Sequence, residues 1–167
     1  MSEKDEILST QLKQAGVFSF KDFYKFLYDW LVDEKQMNMK ETEYKEKIKG
    51  DAKDIDIKWE GYRELTDYFK FDIKVGYEIR NLKEVEVTQE GKKVKTNKGD
   101  IKIKLKGYLV RDYEGKFEKS GFMKFLREIY QKWVIKSRVD QFKEKIMGDC
   151  NDFLEQAKAY LDLEGKK

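Results

Sequence analysis

Apolar and charged residues alternate along the middle of the chain, from about residue 39 to residue 113. The clearest stretches are 55–59, 69–79, 85–87 and 101–109. Strict alternation is typical of antiparallel strands that bury one face and leave the other in water. The pattern therefore predicts a meander of five or six strands. Its first strand, about 40–49, has the lysine-rich composition of an edge strand that avoids unwanted pairing.

Short polar and glycine-containing segments separate these strands. Turns are predicted at Gly50-Asp51, Glu64 to Asp67, Glu90-Gly91 and Lys98-Gly99. A tight hairpin at Glu90-Gly91 would place Glu86 opposite Lys95 and Val87 opposite Val94.

Two helices are predicted before the sheet. In the first, about 3–14, Ser2 is the cap and Ile7, Leu8 and Leu12 share one face. In the second, about 19–34, Ser19 is the cap. Phe18 and Phe23 have the spacing of a hydrophobic staple, in which the residue before the cap packs on the fourth helical residue.

Helical spacing returns after the sheet, over about 120–163. An apolar stripe runs through Phe122, Leu126, Ile129, Trp133, Val139, Phe142, Ile146 and Phe153. Gly148 and Ser137-x-x-Asp140 are possible breaks, so this region is either one bent helix or two helices. The whole chain, 1–167, is predicted to be a single α+β domain. It has an antiparallel five- to six-stranded meander sheet, with N-terminal and C-terminal helices packed on one face.

Composition favours a folded domain. Charged residues make up 41% of the chain, but 36 basic and 33 acidic residues leave a net charge of only +3, and 14% of residues are aromatic. Disordered chains combine high net charge with few aromatics. Cys150 is the single cysteine, the N-terminus is polar, and no apolar run approaches the ~20 residues of a membrane span. We therefore expect a cytoplasmic protein with no internal disulfide.

The chain contains no histidine, which excludes several kinds of catalysis. Histidine-based nucleophilic triads and the usual zinc sites need it, and glycine-rich phosphate loops have no counterpart here. No cofactor is expected, and an enzyme is the less favoured interpretation. Asp54, Asp56 and Lys58 could form part of a metal-dependent nuclease. The simpler interpretation is a solvated face of cross-strand ion pairs, with no evident metal site.

Two basic regions make nucleic acid a possible partner. The segment 92–106 has seven lysines and one acid, and 116–147 has nine basic and four acidic residues. Clustered cations attract phosphate backbones. The candidate residues are Lys93, Lys95, Lys102, Lys104 and Arg138. Against this, Glu84 and Glu86 could neutralise part of the first region, and the pI near 8.6 is modest for a nucleic-acid-binding domain.

The C-terminal stripe is a second binding candidate. Val139, Phe142, Ile146 and Phe153 could pair with the same helix of another copy, or could pack on the sheet of their own chain. The leading hypothesis is a non-enzymatic binding or assembly protein that forms a homo-oligomer through this helix. A nucleic-acid-binding module that uses the lysine-rich sheet face is the alternative, and a metal-dependent nuclease is the third.

Three segments resemble small uncharacterised archaeal proteins. They are SFKDFYKFLYDWL at 19–31, FLREIY at 125–130 and LDLEG at 161–165. The similarity extends over most of the chain. No activity is attached to these proteins, so the resemblance implies nothing about function.

Overall fold

The computed structural model describes residues 3–111, 121–129 and 136–165. The strands are β1 (Glu3–Phe18), β2 (Asn38–Lys49), β3 (Ala52–Glu64), β4 (Phe69–Gln89) and β5 (Lys92–Arg111). The helices are α1 (Phe20–Asp29), continued by a π-helical turn (Trp30–Glu34), α2 (Gly121–Ile129) and α3 (Lys136–Gly165). This composition confirms an α+β protein.

The five strands form one antiparallel sheet in the order β1-β5-β4-β3-β2. The predicted edge strand, β2, does lie at an edge. The β4–β5 hairpin also has the predicted register, with Glu86 opposite Lys95 and Val87 opposite Val94. Its turn residues Glu90 and Gly91 both have positive φ angles, which suits a two-residue turn that follows the twist of the strands.

The predicted first helix, 3–14, is wrong, because residues 3–18 form β1. This strand pairs along β5, with Leu12 opposite Ile103. Leu8 and Leu12 are four residues apart, and that spacing puts two side chains on one face of a strand as well as of a helix. A register shift between Glu6 and Leu8 displaces Ile7 from the alternation that would have identified a strand.

The predicted turn at Lys98-Gly99 is also wrong, because β5 continues through it. The irregularity lies in the partner strand, where the register shifts between Arg80 and Lys83. Gly99 is buried opposite this bulge. A Cβ atom at Gly99 would lie 3.1 Å from the carbonyl oxygen of Arg80 and 3.1 Å from Cα of Leu82. Glycine therefore allows two backbones to approach closely here and does not mark a chain reversal.

The second predicted helix is confirmed as α1 and its π-helical continuation. The Ser19 hydroxyl accepts a hydrogen bond from the Asp22 backbone N–H (3.4 Å), and the Phe18 ring packs edge-on against Phe23. These contacts are the predicted cap and staple. They fix the direction in which the chain leaves β1.

We call the side of the sheet that carries Trp59, Tyr77 and Ile103 the core face. All three side chains are buried. The rings of Tyr24 and Tyr28 in α1 pack edge-on against Trp59, with centroids 5.0 and 5.3 Å away. Aromatic side chains therefore fill the space between α1 and the sheet.

α3 contacts the same face at β5 and extends to β1. At Gly107 the fit is close, since a Cβ atom there would lie 2.8 Å from Sγ of Cys150 and 3.0 Å from Cγ2 of Ile146. α3 runs without interruption through Gly148, so of the two possible breaks the one at Gly148 does not occur. Trp133, from the predicted stripe, lies outside the described residues.

Candidate nucleic-acid interface

The opposite side of the sheet, which we call the open face, carries charged side chains that alternate with the core residues of each strand. On β5, Lys102, Lys104 and Lys106 alternate with the buried Ile101, Ile103 and Leu105. Lys13 of β1 and Lys74 of β4 join the β5 lysines on this face, because the register places them directly beside that strand. Five lysines from three strands thus form one cationic surface, which we call the lysine field.

Two pairs in the lysine field bring like charges together. Lys13 is directly opposite Lys102, and Lys74 is directly opposite Lys106. Like charges that face each other across strands destabilise a sheet.

Gly76 lies at the centre of the field, where a Cβ atom would meet nothing nearer than Cβ of Lys104 at 3.9 Å. The centre is therefore open enough for a ligand to approach the backbone.

Acidic side chains flank the field, since Glu78 is directly opposite Lys102 and Glu60 is directly opposite Lys74. Glu78 lies 3.1 Å from the Lys104 ammonium group, and Glu6 lies 3.8 Å from that of Lys106. The four side chains of these two ion pairs are between about two fifths and one half exposed. Ion pairs with this exposure contribute at most about 1 kcal/mol. A phosphate group could therefore compete for these lysines at little cost in stability.

Two tyrosines lie at one end of the open face. Tyr62 and Tyr108 are the neighbours of Asp72 on either side, in a row that crosses β3, β4 and β5. The Lys4 ammonium lies 4.3 Å from the centroid of the Tyr108 ring, and the Lys70 ammonium lies 5.4 Å from that of Tyr62. Tyr62 is 42% exposed, so its ring is accessible to a planar ligand.

A surface depression of about 270 Å³ adjoins the ring of Tyr62. Its lining includes Lys4, Lys40, Lys70, Lys74 and Tyr62, together with the acidic Glu60 and Asp72. Lys4 and Lys70 both form ion pairs with Asp72, at 3.6 and 3.4 Å. The depression thus combines cations with one aromatic ring, the two kinds of group that hold single-stranded nucleic acids.

The structure separates the five residues predicted to bind nucleic acid. Lys102 and Lys104 lie together in the lysine field. Lys93 and Lys95 are odd-numbered positions of the same continuous strand, so their side chains point to the other side. Arg138 is exposed in the first turn of α3, which packs on the core face. The candidates therefore do not form one surface.

Sequence reasoning missed Lys13, Lys74 and Tyr62 as site residues. Lys13 was assigned to a helix, and the other two come from strands that are distant in sequence from the lysine-rich segment. Alternation alone placed Lys74 on the polar side of its strand. Its position opposite Lys106 depends on strand order, which no local pattern in the sequence reports.

The three residues of the nuclease hypothesis, Asp54, Asp56 and Lys58, each form an ion pair with another side chain. Lys49 lies 2.8 Å from Asp54, and Arg80 lies 2.8 Å from Asp56. The hydrogen bond from Lys49, with a second from the backbone N–H of Asn81, lowers the pKa of Asp54. Lys58 lies 3.7 Å from Glu43. Among the residues that the structure describes, no group of three or more acidic or cysteine side chains is arranged to hold a metal ion.

The residues of the helical-interface hypothesis lie inside the chain's own fold. Val139, Ile146 and Phe153 are buried in the core. Phe142 is partly buried, and its ring centroid is 5.1 Å from that of Phe69 in β4. Of the two alternatives, pairing with another copy and packing on the sheet of the same chain, these contacts correspond to the second. A second copy could reach these side chains only if α3 left the sheet.

Comparison of the chain with protein-family models, with curated proteins and with solved structures yields no match. The site must therefore be interpreted from its own geometry.

Proposed function

We propose that this protein binds single-stranded nucleic acid along the open face of its sheet. The observation that carries the proposal is the pairing of Lys13 with Lys102 and of Lys74 with Lys106. Such pairs oppose folding, and Glu78 opposite Lys102 and Glu60 opposite Lys74 offset only one side of each pair. A bound chain of phosphates would relieve the repulsion, because each phosphate can lie between two ammonium groups.

The combination of lysines and an exposed tyrosine on this face favours a single strand over a duplex. Sequence-independent binding of single strands combines a cationic surface with aromatic rings on which bases stack. The lysine field offers the first and Tyr62, at the end of the field, offers the second. Lysine is a flexible point charge, whereas the bidentate forks that read base edges come mainly from arginine. We therefore expect little sequence preference.

Binding should weaken steeply with salt. If three to five lysines contact phosphates, the logarithm of the affinity should fall with the logarithm of the salt concentration at a slope of roughly −2 to −3.5. The test is fluorescence anisotropy with a labelled oligouridylate and a labelled oligothymidylate. Each should be titrated at several salt concentrations.

The decisive variant is Lys102→Gln with Lys104→Gln, which should weaken binding by about tenfold or more. Lys93→Gln with Lys95→Gln is a matched control, because it removes the same charge from the same strand on the other side. Equal losses from both variants would mean that only net charge matters, and the proposed face would be wrong. No binding at low salt would end the proposal.

The tyrosine contribution can be separated from the charge contribution. Tyr62→Ala should weaken binding by a factor of about 5 to 100, as expected for the loss of one stacked base. The slope of affinity against salt should stay unchanged, since no phosphate contact is lost. Tyr44→Ala is the control, because Tyr44 is 46% exposed on edge strand β2 and faces the core side.

A further inference from the structure

Helix α2 presents large apolar side chains to water. Phe122 is 67% exposed, Phe125 is 56% exposed and Ile129 is 39% exposed. They are three and four residues apart, so they lie along one face of the helix. Clustered exposed phenylalanines are uncommon on a folded protein surface and mark a place where a partner binds.

The sequence around this helix is basic. The segment 116–138 contains seven basic residues and two acidic residues. Within α2, Lys124 and Glu128 are exposed, so the positive charge of the region comes mainly from the sequence on either side of the helix. A basic amphipathic helix with phenylalanines on its apolar face has the composition of helices that lie in the interface of an anionic bilayer.

A second copy of the chain fits this surface less well. A dimer formed through α2 would be symmetric, so it would bring together two copies of the same basic sequence. Their charges would repel. The surface of an anionic bilayer supplies the opposite charge to the lysines and an apolar layer to the phenylalanines, and it is complementary to both.

We propose that α2 is a peripheral membrane anchor that lies flat on anionic lipid, with Phe122, Phe125 and Ile129 inserted among the acyl chains. The exposed Lys124 then contacts lipid phosphates. Within residues 3–111, 121–129 and 136–165, no helix combines the length and apolar character needed to cross a bilayer. The proposed attachment is accordingly reversible and depends on lipid charge.

The experiment is co-sedimentation of the full chain with large vesicles. One set contains phosphatidylcholine alone, and the other contains about one third phosphatidylserine. We expect binding to the anionic vesicles and at least tenfold weaker binding to the neutral ones. Equal binding to both sets, or no binding to the anionic set, would overturn the proposal.

The test variant is Phe122→Ser with Phe125→Ser, which should reduce vesicle binding by at least tenfold. Both side chains are exposed, so thermal unfolding should be unchanged. Tyr44→Ser with Ile48→Ser is the control, because it removes two exposed apolar side chains from β2, where Ile48 is 75% exposed. Equal losses from the two variants would overturn the proposal.

Lipid binding can also be separated from nucleic-acid binding and from self-association. Lys102→Gln with Lys104→Gln should leave vesicle binding unchanged, because those residues lie on the open face. Light scattering shows whether the phenylalanine variant alters the size of the protein. A dimer that this variant dissociates, with no attachment to vesicles, would assign the surface to a second copy and would refute the membrane proposal.

Discussion

The guanidinium group of Arg63 lies 3.0 Å from the carboxylate of Asp149, which joins β3 to α3. Lys35, just after the π-helical turn, lies 3.1 Å from the other oxygen of the same carboxylate. Arg63 also donates a hydrogen bond to the carbonyl oxygen of Lys35. Burial opposes the charge of Lys35, but the hydrogen bonds to Asp149 and Asp152 raise its pKa. Asp149 is thus the point where strand, turn and helix meet.

Replacement of Asp149 by Asn should destabilise the protein strongly. Asp149 is only 8% exposed, and the substitution leaves the partly buried Arg63 without its counterion and removes one of the two carboxylates that contact Lys35. We expect the free energy of unfolding to fall by about 3 kcal/mol, the value for breaking a buried ion pair. Urea unfolding monitored by circular dichroism measures the change.

Asp152→Asn is the matched control for this prediction. Asp152 contacts the same lysine at 3.1 Å from the same helix, but its side chain is 53% exposed. Its removal should cost less than about 1 kcal/mol. Similar losses from the two variants would show that burial of the Asp149 pair contributes nothing.

A methyl group at Gly107 should push α3 away from the sheet. The new Cβ atom would lie 2.8 Å from Sγ of Cys150, well inside contact distance. We expect Gly107→Ala to lower the free energy of unfolding by about 1–3 kcal/mol, as overpacking does in other cores. Gly76→Ala, on the open face, should change it by less than about 0.5 kcal/mol.

A double-mutant cycle identifies the cause of that loss. Cys150→Ala removes the sulfur that the new methyl group would strike, so the double variant should be more stable than the sum of the single changes predicts. Strict additivity would mean that the cost of Gly107→Ala arises elsewhere.

Three tyrosines with raised pKa values should make stability sensitive to alkaline pH: Tyr77 is buried, and Tyr24 and Tyr160 are partly buried. Burial, reinforced by a hydrogen bond to Glu41, raises the pKa of Tyr24 to about 12. Burial, with the nearby carboxylates of Glu164 and Asp22, raises the pKa of Tyr160 to about 12. Burial raises the pKa of Tyr77 well above its ordinary value. In the unfolded chain these groups ionise near pH ~10.

A raised pKa in the folded state means that folding favours the protonated phenol. The stability contributed by these tyrosines is therefore complete below pH ~10 and is lost as the pH rises from 10 towards 12. Spectrophotometric titration of tyrosinate, run beside circular dichroism, tests this. We expect part of the tyrosines to ionise only when the protein unfolds. Full ionisation near pH 10 with the fold intact would contradict the raised pKa values of all three.

Structural features formed by residues that are close together in the chain could be predicted from the sequence. The Ser19 cap, the Phe18–Phe23 staple and the Glu90-Gly91 hairpin each depend on residues that are adjacent in the chain, and each is confirmed. β1 was missed because Leu8 and Leu12 satisfy helix and strand spacing equally. Gly99 was predicted to be part of a turn. A glycine is needed there because the bulge between Arg80 and Lys83 brings another strand close to its backbone, and the local sequence around Gly99 does not show that bulge.

Candidate sites were harder to predict, because they depend on strand order. The like-charge pairs Lys13–Lys102 and Lys74–Lys106 exist only when β1 and β4 flank β5. The stripe through Ile146 and Phe153 was correctly seen as apolar. Whether this stripe packs on its own sheet or on another chain depends on shape complementarity. An example is Gly107, which has no side chain and so lets α3 approach the sheet closely.

The pairing of β1 with β5 has a consequence for biosynthesis. Leu12 is opposite Ile103, so the first strand must wait for about 90 further residues before its partner exists. At ordinary rates of translation this takes on the order of 5–20 s. Throughout that interval the hydrogen-bonding groups of β1 have no native partner strand. We expect the nascent chain to need protection from aggregation until the last strand emerges from the ribosome, and a circular permutant that begins at β2 to escape that delay.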